Sequence, residues 1–234
     1  MKGVKGYVGI ENRFGGHGND WAHAHRAHQS ETSGRVGILS SLEDYNLDFA
    51  KSVADKFGIQ ACASGEEMIQ SDAVDAVIVT TADPFHEQYV MAAIKAGKYV
   101  FCEKPLAPDA DACKRIVEAE IAGGKQLVQV GFMRRYDPGY RQLKAHIDSG
   151  KFGLPLALHC VHRNYDAPGW KTPMSVENSM IHEIDVLRWL LGEGYATVEV
   201  RFPKTTRKAE DGVRDPQVMI LTTVSAFALT LSRS

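Results

Sequence analysis

Ala76-Val77-Ile78-Val79-Thr80, Tyr99-Val100-Phe101-Cys102 and Leu127-Val128-Gln129-Val130-Gly131-Phe132 are three short, mostly apolar runs. The stretches between them are helical in pattern. Pro84 to Ala96 reads as a helix closed by Gly97, and Asp109 to Ala122 as a second that stops at Gly123-Gly124. Strands without polar alternation are buried on both faces, and amphipathic helices joining them make βαβ crossovers. Upstream, Leu47, Ala50, Val53, Ala54 and Phe57 keep helical spacing from residue 44 to a stop at Gly58. The expected fold class is therefore α/β, a doubly wound parallel sheet.

After Phe132 the rhythm changes. A helix is expected around Tyr140 to Ile147, a strand from Leu156 to His162, and a loop through Pro168, Gly169 and Pro173. A helix from Val176 to Leu191 closed by Gly192 follows, then strands near Val198 to Phe202 and Val218 to Val224. No further strand or helix is expected beyond Val224. These features divide the chain into a first domain over 1–131 and an incomplete α+β domain over 132–234.

The chain has 234 residues, 44% hydrophobic, with 27 basic and 29 acidic side chains interspersed. Such a balance suggests neither nucleic acid nor a membrane surface as partner, and suits a small neutral ligand. Met1 to Gly6 carries no apolar run of the signal-peptide kind, and no window nears the length of a membrane span, so a cytoplasmic location is expected. Cys62, Cys102, Cys113 and Cys160 lack C-x-x-C spacing and read as reduced packing residues.

Open α/β sheets bind ligands at the carboxyl ends of their strands. Glu103-Lys104-Pro105 and Met133-Arg134-Arg135-Tyr136-Asp137 each follow such a strand, and His159-Cys160-Val161-His162-Arg163-Asn164 ends the first strand of the second domain. On the helix over 176–191, Asn178, His182 and Asp185 are spaced to share one face. His182 among polar residues suits proton transfer near neutral pH; alternatively it is a buried histidine satisfied by a neighbour. Lys104 is either a participant in chemistry or a surface lysine paired with Glu103. The four clusters are expected to meet in one cleft. Four histidines between His17 and His28 have no supporting carboxylate or cysteine spacing, and no metal is expected there.

Lys98 to Ala107, Val128 to Asp137 and His182 to Leu190 together resemble the Gfo/Idh/MocA family of dinucleotide-dependent sugar and polyol oxidoreductases. The resemblance runs from about Asp44 to Val224, and the Met-Arg-Arg-Tyr-Asp and His-Cys-x-His-Arg-Asn runs resemble the inositol-oxidising members. It implies a Rossmann-type first domain and NAD-dependent oxidation of myo-inositol to a keto-inositol. Carried over by position, His182 is the general base, with Asn178 beside it, and Lys104 bonds the reacting oxygen. Met133, Arg134, His162 and Asn164 line the polyol site. Thr80, Thr81, Pro84, His86, Glu103 and Lys104 border the cofactor, while Asp44 meets the adenosine ribose and favours NAD over NADP. The family's full-length members imply a homo-oligomer formed through the second domain's sheet.

The sequence departs from the family in three places. Asn178 stands where the inositol-oxidising members often have an aspartate, so the expectation is either a slower turnover or a part for Asp185 in supporting His182. The G-x-G-x-x-G turn that lets a pyrophosphate approach the backbone is altered, with Gly16-x-Gly18 as its remnant and Trp21 in place of the third glycine. The resemblance implies several more strands completing the second domain's sheet, and an incomplete sheet is expected here. Two alternatives therefore stand beside inositol oxidation: a related polyol or sugar dehydrogenase, and a truncated, catalytically dead fragment that binds without turnover.

Overall fold

Six strands, β1 (Gly6–Glu11), β2 (Arg35–Ser40), β3 (Gln60–Ala61), β4 (Ala76–Thr80), β5 (Tyr99–Cys102) and β6 (Val128–Val130), form one sheet in the order β3-β2-β1-β4-β5-β6. Every neighbouring pair is parallel. The order reverses between β1 and β4, which makes their carboxyl ends the place where a doubly wound sheet opens a ligand crevice. The computed structural model describes residues 6–11, 35–40, 51, 54–55, 60–163, 169–205, 212–225 and 228–233, with 6–11, 35–40, 60 and 233 by backbone alone. Asp44, the altered glycine turn, His17 to His28, Asn164 and most of the helix expected over 44–58 lie outside those residues. Lys51, Ala54 and Asp55 of that helix are described, and all three are helical.

The chain divides into two compact units, Met1–Gly131 and Phe132–Ser234. In the first, α1 (Gly65–Gln70), α2 (His86–Lys95) and α3 (Ala110–Ala122) accompany the sheet. Their starts follow local chemistry. Ser64 accepts from the amide of Glu67 at 3.0 Å while Glu67 reaches back to that of Ala63 at 3.2 Å, a reciprocal cap. Asp109 caps α3 through the amide of Ala112 at 2.8 Å. Pro84 sits in a 3-10 turn, Asp83–Phe85, that leads into α2, so the helix expected from Pro84 begins at His86. Glu120 of α3 accepts from the amides of Leu127 and Val128 at 2.6 and 2.7 Å, fixing the start of β6 at the end of the sheet.

Val77, Val79, Val100 and Cys102 from the sheet pack with Met68, Ile69, Val90, Ala93, Ala112 and Ile116 from the helices. All are buried, and each large side chain so buried contributes about 1.5 to 3 kcal/mol relative to exposure. Burial raises the Cys102 thiol to about 12, which keeps it protonated and unreactive.

The second unit is a four-stranded sheet in the order β7-β10-β9-β8, from β7 (Ala157–His162), β8 (Tyr195–Arg201), β9 (Gln217–Thr223) and β10 (Ala228–Arg233). β10 corrects the expectation that regular structure ends at Val224. It runs parallel to β7 and antiparallel to β9, burying Leu229 and Leu231 while Thr230 faces the other way. Ala228-Leu229-Thr230-Leu231-Ser232 thus alternates with the period of a half-buried strand, a pattern its small polar residues make inconspicuous. α4 (Pro138–Asp148) and α5 (Ile181–Leu191) accompany this sheet. Met180, Val186, Leu187 and Leu190 form the core with Met219, Leu221, Leu229 and Leu231. The single helix expected over 176–191 is in fact two pieces: Ser175–Met180 is a π-helical turn, and α5 begins at Ile181. Gly192 ends α5 at φ 71°, a left-handed position that suits glycine.

Candidate active site

At the carboxyl end of β4, Thr80 is half-buried, and Thr81 is 6% exposed, with an Oγ1 that has no partner among the described residues. Pro84 is exposed in the turn that follows.

His86, expected to border the cofactor, is the first residue of α2. It is 1% exposed, with Nδ1 2.6 Å from the carbonyl oxygen of Pro105 and Nε2 2.8 Å from that of Thr81. Carbonyl oxygens only accept, so a neutral ring donates to one of them and a doubly protonated ring to both. The side chain is spent on tying the end of β4 to the turn that follows β5. Its contribution to the sheet edge is to place backbone.

That turn carries Glu103 and Lys104. The amide of Glu103 donates to the carbonyl of Val79 at 2.9 Å, and that of Gly131 to the carbonyl of Cys102 at 2.7 Å, so β4, β5 and the end of β6 are stitched together at this edge. Oε2 of Glu103 accepts from the amide of Lys104 at 3.2 Å. A Cβ at Gly131 would stand 3.2 Å from Oε1 of Glu103 and 3.1 Å from the ring of Phe101, which is why the close approach uses glycine here. Lys104 is half-buried.

The polar residues of the second unit form a compact network. A 3-10 turn, Met133–Arg135, aims two guanidinium groups at α5. Arg134 pairs with Glu183, and Arg135 holds Asp185 with two bonds, Nε to Oδ2 at 2.8 Å and Nη2 to Oδ1 at 2.5 Å. Bidentate pairing of this kind is the strong form of a salt bridge, and the bond to Asp185 raises the Arg135 pKa. Oε1 of Glu183 also meets Nδ1 of His162 at 3.0 Å. Arg134 lies 5.7 Å from the centre of the Tyr140 ring. Tyr195 donates to the carbonyl of Ile184 at 2.6 Å, and burial pushes its pKa up to about 12.

His182 is 8% exposed on the first turn of α5. Asn178 is half-buried on the π turn, four residues earlier. Asp185 was expected to share in supporting His182. That expectation is corrected: both of its oxygens are engaged by Arg135, because a fixed guanidinium fork fits a carboxylate better than an imidazole does. Met133 is 61% exposed, while Arg134 and His162 are largely covered.

Glu183 was missing from the residues singled out by sequence. Its signal was present: two adjacent arginines in one run and two acids, Glu183 and Asp185, on a helix whose other residues are largely apolar. Burial of acids on such a face requires partners of opposite charge.

A family pattern described as "Oxidoreductase family, NAD-binding Rossmann fold" matches residues 6–132, and the Gfo/Idh/MocA C-terminal domain matches 140–234. The matched range extends beyond the 44–224 over which the motifs carry the resemblance. The chain belongs to the Gfo/Idh/MocA family of oxidoreductases. It is 51% identical over 204 residues to an inositol 2-dehydrogenase of Pseudomonas fluorescens, covering 86% of this chain and 60% of that protein. An inositol 2-dehydrogenase of Klebsiella pneumoniae is 50% identical over 182 residues, covering 76% and 54%. This chain therefore spans little more than half the length of these curated relatives. Among solved structures, myo-inositol dehydrogenase from Lactobacillus casei, in complex with NAD(H) and myo-inositol, is similar with a TM-score of 0.85 and 30% identity, over 98% of this chain and 67% of that one.

Proposed function

We propose that the chain carries the reaction centre of an NAD-dependent dehydrogenase that oxidises myo-inositol to a keto-inositol. The first unit, residues 1–131, is the dinucleotide-binding domain, and residues 132–234 contribute the polyol site. The observation that carries this reading is the pairing of a parallel sheet ordered β3-β2-β1-β4-β5-β6 with a second unit holding His182 beside a buried Arg-Glu-His network. The identity of about half the aligned residues to inositol 2-dehydrogenases gives the substrate class.

The residues at the sheet edge suit the cofactor. Thr80, Thr81, Pro84, His86, Glu103 and Lys104 stand at or beyond the ends of β4 and β5 and border the cofactor; the Thr81 hydroxyl is buried with no partner among the described residues, and the His86 ring fixes the backbone between the two strand ends. Asp44 bonds the adenosine ribose. NAD, when bound, supplies the acceptor for the hydride that leaves the ring carbon.

His182 takes the proton of the hydroxyl being oxidised, and Asn178 orients its ring. Lys104 donates a hydrogen bond to the same oxygen, stabilising the negative charge it gains as the proton departs. Met133, Arg134, His162 and Asn164 bind the remaining hydroxyls. Each hydroxyl both donates and accepts, so arginine, histidine and asparagine side chains are chemically matched to a polyol.

The test is NADH formation by the purified chain supplied with NAD and myo-inositol, beside Lys104→Ala. Turnover that falls by about 10² to 10⁴ in the variant is expected for a lost proton-handling or charge-stabilising group. A folded chain that forms no NADH would overturn the catalytic reading and leave a binding fragment.

A further inference from the structure

Gln217 is polar where its neighbours on the same face of the sheet are not. It opens β9, alternates onto the face of Met219 and Leu221, and is 1% exposed. A buried amide at an apolar position destabilises the fold unless it is bonded. Its Nε2 donates to the carbonyl of Thr172 at 2.9 Å and to that of Arg214 at 3.2 Å. Both partners only accept, which sets the amino end of the amide against them. Thr172 completes the contact, because its Oγ1 accepts from the amide of Arg214 at 2.9 Å and donates to the carbonyl of Gly212 at 3.3 Å. The guanidinium of Arg214 in turn lies 3.8 Å from the centre of the Phe202 ring, just past the end of β8.

Thr172 stands where the helical segment carrying His182 begins. Its carbonyl also accepts from the amide of Ser175 at 3.3 Å, and that of Pro173 accepts from the amides of Val176 and Glu177 at 2.9 and 3.0 Å. The chain then runs through the π turn with Asn178 into α5 with His182. The indole N–H of Trp170 donates to Oγ of the buried Ser175 at 3.2 Å, a second tie at the same entrance. A π turn departs from regular α-helical bonding, and such turns occur frequently at functional sites. An anchor at its entrance governs how the turn is seated, and with it the placement of Asn178 and His182. We infer that Gln217 and Thr172 are positioning residues for the proton-accepting side chain: the bonded pair holds the entrance of the π turn and through it fixes Asn178 and His182 for reaction. This rests on the reading above, in which His182 takes the hydroxyl proton. Misplacing a reacting group by about 1 Å costs about 10²-fold in rate, so a loosened latch acts on kcat.

Paired variants test this. Thr172→Val removes the hydroxyl and keeps the shape, whereas Thr172→Ser keeps the hydroxyl. The first is expected to lower kcat for myo-inositol about tenfold, with a smaller change in KM and an unchanged affinity for NADH, and the second to hold kcat within about twofold of the unmodified value. A kcat unchanged in Thr172→Val, or lowered equally in both, overturns the inference. Gln217→Met removes both donated bonds at similar size and is expected to lower kcat at least as far in the folded fraction. A lowered unfolding midpoint with kcat unchanged would make the contact purely structural and overturn the inference. A second readout needs no turnover. In the 15N-labelled chain, the imidazole signals of His182 are expected to shift in Thr172→Val and to return in Thr172→Ser, while those of His86 stay in place. Unmoved His182 signals overturn the inference whether or not the chain forms NADH. His182→Ala separates the two ideas. If it leaves kcat unchanged, the proton-transfer reading fails and the inference falls with it. If it abolishes turnover while Thr172→Val and Gln217→Met keep kcat, the reading stands and the inference alone fails.

Discussion

His182 has a polar companion on the preceding turn, Asn178, where a carboxylate is the chemically stronger choice. An amide can hold the imidazole in place, but it cannot stabilise the cation formed when the ring takes a proton. Asn178→Asp is therefore expected to raise kcat for myo-inositol by about threefold or more, since general-base catalysis improves as the protonated base is stabilised. Steady-state rates at saturating NAD and polyol decide it, and an unchanged kcat would assign Asn178 a packing role. Asp185 is not the substitute, because Arg135 claims both of its oxygens. His182, Asn178 and Lys104 were legible as residue types at particular places in the sequence. The carboxylates Glu183 and Asp185 were legible only as charges, because nothing along the chain says that an acid on a helix meets an arginine some fifty residues away in sequence.

At the scale of elements, the edge where β4 and β5 end is held by side chains that reach backbone. His86 joins the carbonyls of Thr81 and Pro105 from the first residue of α2, and Glu103 cradles the amide of the residue after it. His86→Ala removes a fully buried ring and strands two carbonyls, and is expected to lower stability by about 2 to 4 kcal/mol in denaturant unfolding. A loss below about 0.5 kcal/mol would show that the two carbonyl contacts contribute little, since surface-like substitutions fall in that range. The helix over 176–191 illustrates the limit of pattern reading. Its apolar spacing identified a helix, yet the π turn over Ser175–Met180 is a matter of how backbone bonds step, which side-chain periodicity does not encode. β10 was missed for the opposite reason. Its two leucines are enough for a strand only because β7 and β9 flank it and close a core over them.

At the scale of the whole molecule, alkaline titration reports on both units. Cys102 rises from 9.0 to about 12 and Tyr195 from 10.0 to about 12, chiefly through burial. A raised folded pKa on a group that is neutral when protonated means that the folded state holds its proton longer than the unfolded one. The associated stability is whole below pH 9 and falls as pH climbs toward 12. Unfolding midpoints should therefore decline across that window, and Tyr195→Phe should flatten part of the decline while losing about 1 kcal/mol at neutral pH with its bond to the Ile184 carbonyl. An equally steep alkaline decline in the variant would remove Tyr195 from the explanation. The sequence by itself determined the α/β class, the succession of most strands and helices from β4 onward, and the lysine, arginines and histidines brought to element ends, because hydrophobic period and turn chemistry are local and survive in one dimension. Only the tertiary structure decided that Arg134, His162 and Glu183 form one network, that Asp185 belongs to Arg135, that His86 works on backbone and that Ala228 to Arg233 pairs between two strands. Each of these is a contact between distant residues, and its energy depends on burial and on a partner's geometry, which come into existence only when the chain has folded.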